Sequence, residues 1–426
     1  MTTACADTRP DVLLITIDTL RADHLHSYGF PLETSPRLDA LAAQGVLFER
    51  AIAAAASTVP AHASIMTSRY PREHSVGHRN GGTRLEGHAT LATIFAANGY
   101  ATAAFVGNLV LDRRTGLDHG FDVYDDELNR REKNRYSFER IAVDTVRSSL
   151  AWLATSPAPV FLWVHYQDPH GPYAAPDAWR GRFPIAPGRD EQPLPVVPGA
   201  AGLGGIPEYQ ALDGLFLPSQ YRARYAEEIA YADHWIGALL DAFDARTGDP
   251  VVLVTADHGE SMGERKRWFV HFFGSTPENA HVPMILRAPG VPPGRRPELV
   301  GHVDVLPTLL ELAGIEPPPG HRGIALGPFL RAGQPLPERT LFCDTGREVS
   351  AYRGEGFVRV PVREGEPARG EAFDWRRDGV WVATGQGVEL PAPVVDYTRT
   401  ATPVAEAPLL SPETRARLRA LGYEPE

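Results

Sequence analysis

Two stretches of this chain, Val12-Leu13-Leu14-Ile15-Thr16-Ile17 and Val251-Val252-Leu253-Val254-Thr255-Ala256, are almost continuous in β-branched residues and leucine, and each runs directly into an aspartate, Asp18 and Asp257. Runs of this kind suit strands covered on both faces, as in a parallel sheet with helices packed above and below. An acid at the C-terminal end of such a strand lies where open α/β sheets bind their ligands. Two such ends, with His258 directly after the second and the hydroxyl-bearing turn Ser57-Thr58-Val59-Pro60 between them in sequence, point to one metal-centred site.

Composition narrows the partners. The chain has 426 residues and a formal net charge of -11, and no block of Lys or Arg interrupts the acidic balance, which argues against a nucleic-acid surface. Only Lys133 and Lys266 are lysines; the other basic residues are arginine, a bias that carries no functional weight by itself. Two cysteines, Cys5 and Cys343, do not make a disulfide framework. No charged-then-apolar leader precedes Val12, and no apolar run approaches the roughly 18 residues that span a bilayer. The expectation is a cytoplasmic protein with neither nucleic acid nor membrane as partner. Oligomeric state has no readable signature.

Helical and strand-like segments alternate. Helices are predicted over Ser35–Ala43, Thr90–Asn98, Ser137–Leu153, Gln220–Arg246 and Val305–Ala313, and strands over Val46–Phe48, Tyr100–Val106, Val160–His165 and Pro283–Arg287. This order predicts a doubly wound, mostly parallel α/β sheet. The segment 180–218 is rich in Pro, Gly and Ala without period and reads as a long functional loop. The run Glu316-Pro317-Pro318-Pro319-Gly320 signals a boundary. We expect a catalytic domain over 1–330 and a small C-terminal α+β subdomain over 331–426, with strands such as Gly356–Val360 and a closing helix over Ser411–Leu421.

Asp18, Asp257 and His258 offer the carboxylate and imidazole donors that divalent ions take. Thr58 stands two residues before Pro60 at a loop-to-helix junction, where a hydroxyl serves equally as a helix cap or as a nucleophile favoured by the helix dipole and a metal. Asp168-Pro169-His170-Gly171 follows the strand ending at His165, and His271 lies thirteen residues beyond His258; either imidazole suits proton transfer. His62, His74 and Asn80 crowd the segment after Thr58 and can donate to a tetrahedral anion, and Lys266 can pair with its charge.

Together the motifs resemble the sulfatase branch of the alkaline phosphatase superfamily. The resemblance runs from Val12 to about Leu330 and rests on Thr16-Ile17-Asp18-Thr19-Leu20-Arg21-Ala22-Asp23, Thr67-Ser68-Arg69-Tyr70-Pro71, Asp168-Pro169-His170, Asp257-His258-Gly259-Glu260, His271, Val282-Pro283 and Asp304-Val305-Leu306-Pro307-Thr308-Leu309-Leu310. The closing Leu418-Arg419-Ala420-Leu421-Gly422-Tyr423 is similar to the end of many bacterial members. It implies Asp18, Thr58, Asp257 and His258 as metal ligands. The formylglycine members carry Cys or Ser followed by x-Pro-x-Arg. Here Thr58 occupies that place, with Pro60 in register and His62 instead of Arg, so formylglycine is not expected. Their sulfate-binding Lys-x-His is also missing, the matching stretch being Gly107-Asn108-Leu109-Val110. A Thr nucleophile is similar to that of the superfamily's phosphodiesterases and phospho-group transferases.

The expectation is a metal-dependent hydrolase of small-molecule anionic esters, namely phosphate or phosphonate mono- or diesters. Thr58 attacks and forms a covalent ester, His170 or His271 handles the proton, and His62, Asn80 and Lys266 bind the substrate. The donor set favours Zn or Mn over Ca or Mg. A sulfatase working without formylglycine, a phospho-group transferase and a non-catalytic pseudo-enzyme are the competing readings.

Overall fold

The computed structural model describes residues 9–77, 84–131, 138–247, 249–362, 370–375, 381–388 and 392–399. Its centre is a nine-stranded sheet. We number the strands β1 (Val12–Ile17), β2 (Val46–Ile52), β3 (Ala101–Val106), β4 (Val123–Asp125), β5 (Val160–Tyr166), β6 (Val251–Ala256), β7 (His281–Val282), β8 (Met284–Arg287) and β9 (Gly294–Gly301). The order is β7-β2-β8-β6-β1-β5-β3-β4, with β9 also paired to β2. From β6 through β1, β5 and β3 to β4 every ladder is parallel; β8 then runs antiparallel to β6 and β2. The apolar runs are central because both faces are covered: every residue of β1, β5 and β6 is buried.

The main helices are α1 (Pro36–Gln44), α2 (Thr58–Thr67), α3 (Leu91–Ala97), α4 (Ala142–Leu153), α5 (Pro218–Thr247) and α6 (Val305–Leu312). Thr90 caps α3 by accepting from the Thr93 amide. The start of α1 is instead satisfied from a distance, since the Asp233 carboxylate on α5 accepts the amides of Arg37 and Leu38 at 2.9 and 2.8 Å. The helix expected to begin at Ser137 begins at Ala142. Phe138 and Glu139 pair with Arg131 and Arg130 in a short antiparallel ladder, a long-range contact that an amphipathic pattern cannot report. The short strand expected over Val46–Phe48 extends to Ile52, since β9 pairs along its whole length. The 180–218 segment is largely irregular, with one two-residue parallel ladder between Val196–Val197 and Ile206–Pro207.

Beyond the sheet, β10 (Leu341–Asp344), β11 (Glu348–Arg353), β12 (Gly356–Pro361), β13 (Gly370–Trp375) and β14 (Trp381–Val388) form an antiparallel meander in sequence order. Its core is shared with the main body: Leu341, Phe342, Val349 and Phe357 cluster with Ile52, Ala54, Tyr70, Ala280 and Val303. The meander is therefore packed onto the β2 edge instead of hanging from a linker. The closing helix expected over Ser411–Leu421 lies outside the described residues.

One buried ion pair fastens that junction. Arg72, just after the α2 segment, places Nε 2.6 Å from Asp344 Oδ2 at the end of β10, and the Tyr397 hydroxyl donates to the same oxygen at 3.0 Å. Removing one partner leaves a buried charge uncompensated. Asp344→Ala is expected to lower stability by about 3–5 kcal/mol, read as a fall in the urea midpoint at unchanged slope; a midpoint within error of the parent would show that the pair carries nothing.

Candidate active site

Asp18 and Asp257 follow the C-terminal ends of adjacent parallel strands, and the register that pairs Ile17 with Ala256 sets the two carboxylates side by side. One oxygen of each is committed to orientation. Asp257 Oδ1 accepts the amides of Thr19 at 3.1 Å and His258 at 2.8 Å, and Asp18 Oδ2 accepts from Asn108 Nδ2 at 2.6 Å. The other oxygens, Asp18 Oδ1 and Asp257 Oδ2, are buried and have no hydrogen-bond partner. His258 Nε2 lies 3.4 Å from Asp257 Oδ2 and 4.0 Å from Asp18 Oδ1. Its Nδ1 donates to the Gly259 carbonyl at 3.0 Å, which leaves a lone pair on Nε2 in the neutral ring.

Electrostatics follow from this crowding. Burial pushes Asp18 up, but the imidazoles of His170, His165 and His258 more than offset it and hold the carboxyl well below its usual range. Burial and then repulsion from Asp18 drive Asp257 well above its usual value. Burial, with His271 alongside, pushes His258 down to about 3. Two carboxylates that cannot both ionise comfortably, beside a neutral imidazole lone pair, fit a divalent cation. The three donor atoms lie within 4.8 Å of one another, and this is the only such cluster among the described residues.

Thr58 is the first residue of α2, completely buried, with Oγ1 3.4 Å from His258 Nε2. The N-cap is Ser57, not Thr58, and the hydroxyl expected either to cap or to react lies beside the His258 imidazole. His302 ties this segment to β6. Its Nε2 donates to the Ala256 carbonyl at 2.9 Å, and its Nδ1 accepts the Ala54 amide at 3.2 Å. Behind the site, Thr16 Oγ1 gathers Trp163 Nε1 at 2.9 Å, His62 Nε2 at 3.0 Å and His165 Nδ1 at 3.1 Å.

His271 and His170, both buried, extend the row of imidazoles beyond His258. The rings of His258 and His271 are 4.5 Å apart, and those of His271 and His170 are 5.2 Å apart. His271 Nδ1 is 3.1 Å from Glu260 Oε1, while Tyr173 donates to Glu260 Oε2 at 3.0 Å. Burial pushes Glu260 up to about 8.

The expected substrate-binding set is less coherent. His62 has Nδ1 2.7 Å from the Thr58 carbonyl and Nε2 on Thr16, so both nitrogens hold the first turn of α2 instead of facing a substrate. Lys266 is exposed on a turn with φ 59°. Asn80 lies outside the described residues. Asn108, Glu260, Thr16, His165 and His302 escaped the sequence reading. Thr16 and Glu260 stand inside the family motifs, and Asn108 stands just past the C-terminal end of β3, where ligand-bearing residues gather, yet the sequence reading gives none of the three a role.

Three comparisons place the chain. The model of the sulfatase family matches residues 10–315. Human iduronate 2-sulfatase is 25% identical over 397 residues, covering 72% of this chain and 70% of the relative. The choline-sulfatase of Rhizobium meliloti (strain 1021) is 28% identical over 383 residues, covering 76% and 72%. Among solved structures, the phosphonate monoester hydrolase of Agrobacterium radiobacter superposes with a TM-score of 0.68 at 22% identity, covering 87% of this chain and 90% of that one.

Two outcomes test the geometry. Asn108→Leu removes the donor that aims Asp18 and is expected to weaken zinc or manganese affinity by about 10–100-fold, measured by chelator competition; an unchanged affinity would remove Asn108 from the site. Burial pushes His302 down to about 3, so below its unfolded value near 6.5 the unfolded chain takes a proton that the native state refuses. The stability that His302 contributes is full above 6.5 and is lost as pH falls. His302→Gln keeps a donor and an acceptor without titrating, so the stability gap between parent and variant should shrink by about 1.4 kcal/mol per pH unit from 6.5 towards 4. A gap independent of pH would refute the neutral, tethering imidazole.

Proposed function

The chain belongs to the sulfatase family and is a hydrolase of phosphoric or sulfuric esters, and from that premise we propose that its ester is a phosphate or phosphonate and its nucleophile Thr58. The observation that carries this reading is the residue at the nucleophile's place. A buried threonine opens α2 beside His258, and threonine is not a precursor of formylglycine. A divalent ion held by Asp18, Asp257, His258 and Thr58 would supply positive charge against the charge developing on the ester and the attacking oxygen.

The chain's own residues do the rest. Thr58 attacks as its alkoxide, the hydroxyl proton having passed to bulk water, and an Oγ1–P bond forms as the P–O bond to the alcohol breaks. The amide-bearing start of α2 faces the same region and favours an anion there. His170, at the far end of the row His258, His271 and His170, delivers the proton to the departing oxygen. His271, its Nδ1 held at Glu260, presents Nε2 in a fixed direction towards the ester. Water then cleaves the Thr58 ester. The names of the curated relatives favour the second reading, a sulfate ester cleaved without formylglycine.

Hydrolysis of nitrophenyl phosphate, its diester, a phosphonate monoester and the sulfate by metal-loaded protein separates the two. We expect a phosphorus ester to lead and Thr58→Ala to lower its kcat by at least about 10³-fold at unchanged thermal stability. A lead for the sulfate would select the second reading. Full activity in Thr58→Ala would end the proposed nucleophile.

A further inference from the structure

A cavity of about 280 Å³ opens beside His170, and among the described residues its inner wall is carboxylic: Asp168 and Glu228, 6% and 4% exposed, are hydrogen-bonded to one another there. Gln167, 3% exposed, lines the same cavity, and its Oε1 has no hydrogen-bond partner. The cavity also has arginines, but each has a carboxylate of its own. Arg180 pairs with Asp177 at 2.7 Å, Arg224 with Glu227 at 2.9 Å, and Arg130 lies 3.7 Å from Glu139. Asp168 Oδ2 already accepts the Ala142 amide at 2.8 Å and Glu228 the Ala174 amide, so the unmet acceptor on this wall is Gln167 Oε1, set beside an acid pair that a cation would favour.

We propose that this cavity receives the leaving alcohol of the substrate and that the alcohol bears a protonated amine, whose N–H groups bond Asp168, Glu228 and Gln167 Oε1. The assignment rests on the hydrolase reading above, since His170 is the wall shared by the cavity and the imidazole cluster. Burial drives Asp168 up to about 7 and Glu228 well above its usual value, so the empty pair retains a proton that a bound ammonium would replace. An N–H donor is required. A quaternary ammonium carries the charge but leaves Gln167 Oε1 without a hydrogen and offers none to the acid pair. A hydroxyl supplies the donor without the charge.

The test uses the full-length metal-loaded chain and three esters of whichever acid the nitrophenyl panel selects: 2-aminoethyl, 2-(trimethylammonio)ethyl and 2-hydroxyethyl. The aminoethyl ester should exceed both others in kcat/KM by about 10–100-fold. Glu228→Gln, which preserves the hydrogen bond to Asp168, should bring that ratio to within about threefold. Gln167→Leu, which leaves the acid pair untouched, should lower it as well and stands in if Glu228→Gln does not fold. Equal rates for the three esters, or an intact ratio in folded Glu228→Gln, would overturn the assignment. If no ester of any kind is turned over, the hydrolase reading has failed, and calorimetric titration with ethanolamine, choline and ethylene glycol then decides the cavity alone. Ethanolamine should bind at least about tenfold tighter than the other two; equal or absent binding would refute the amine site.

Discussion

Mutual repulsion between two buried carboxylates organises this molecule. Asp18 and Asp257 are completely buried at the ends of β1 and β6, and the parallel register leaves them no room to turn apart. Each keeps one buried oxygen without a hydrogen-bond partner, and the neutral His258 brings a lone pair to 3.4 Å from one and 4.0 Å from the other. Such an arrangement is costly without a cation and favourable with one. The surrounding structure serves to hold it in place.

The holding is visible in strain as well as in hydrogen bonds. Thr19, a β-branched residue, adopts φ 54°, a conformation such side chains rarely take. It does so because its amide donates to Asp257 Oδ1 and its carbonyl accepts the Tyr225 hydroxyl at 2.7 Å. Helix α5 thereby clamps the turn after β1 from outside the sheet. His302 performs the matching task on the other side, joining the chain that leads to Thr58 to the last residue of β6. Thr58, the two carboxylates and the imidazole are consequently tied to the same two strands, both buried along their whole length. Precision of this kind is easier to maintain on strand ends than on loops.

Beyond that fixed centre the surroundings are built differently. His271, His170, Glu260 and Tyr173 form a chain of ring contacts and hydrogen bonds leading away from the ligand cluster, and the cavity lined by Asp168 and Glu228 begins where the chain ends. The cluster of Asp18, Asp257 and His258 has the same donor logic whichever ester is cleaved. The outward part carries groups whose protonation and hydrogen-bond needs differ from those of phosphate or sulfate, and those groups are suited to choosing among leaving alcohols.

The sequence by itself determined the central strands, the helices between them, and the carboxylates and imidazole of the site. The reason is local: an apolar run covered on both faces and ended by an acid leaves its mark on consecutive residues. Thr58 and His271 were legible for the same reason, through motif spacing. Tertiary structure alone decided which polar residues face inward. His62 and Asn108 are both single polar residues beside apolar runs, yet His62 turned out to brace α2 and Asn108 to aim Asp18. The start of α4 and the acid pair of Asp168 with Glu228 depended likewise on partners far along the chain. A hydrogen bond between residues 60 or 90 positions apart has no period and no neighbouring signal, so only the packed sheet, which brings its ends together, could assign it.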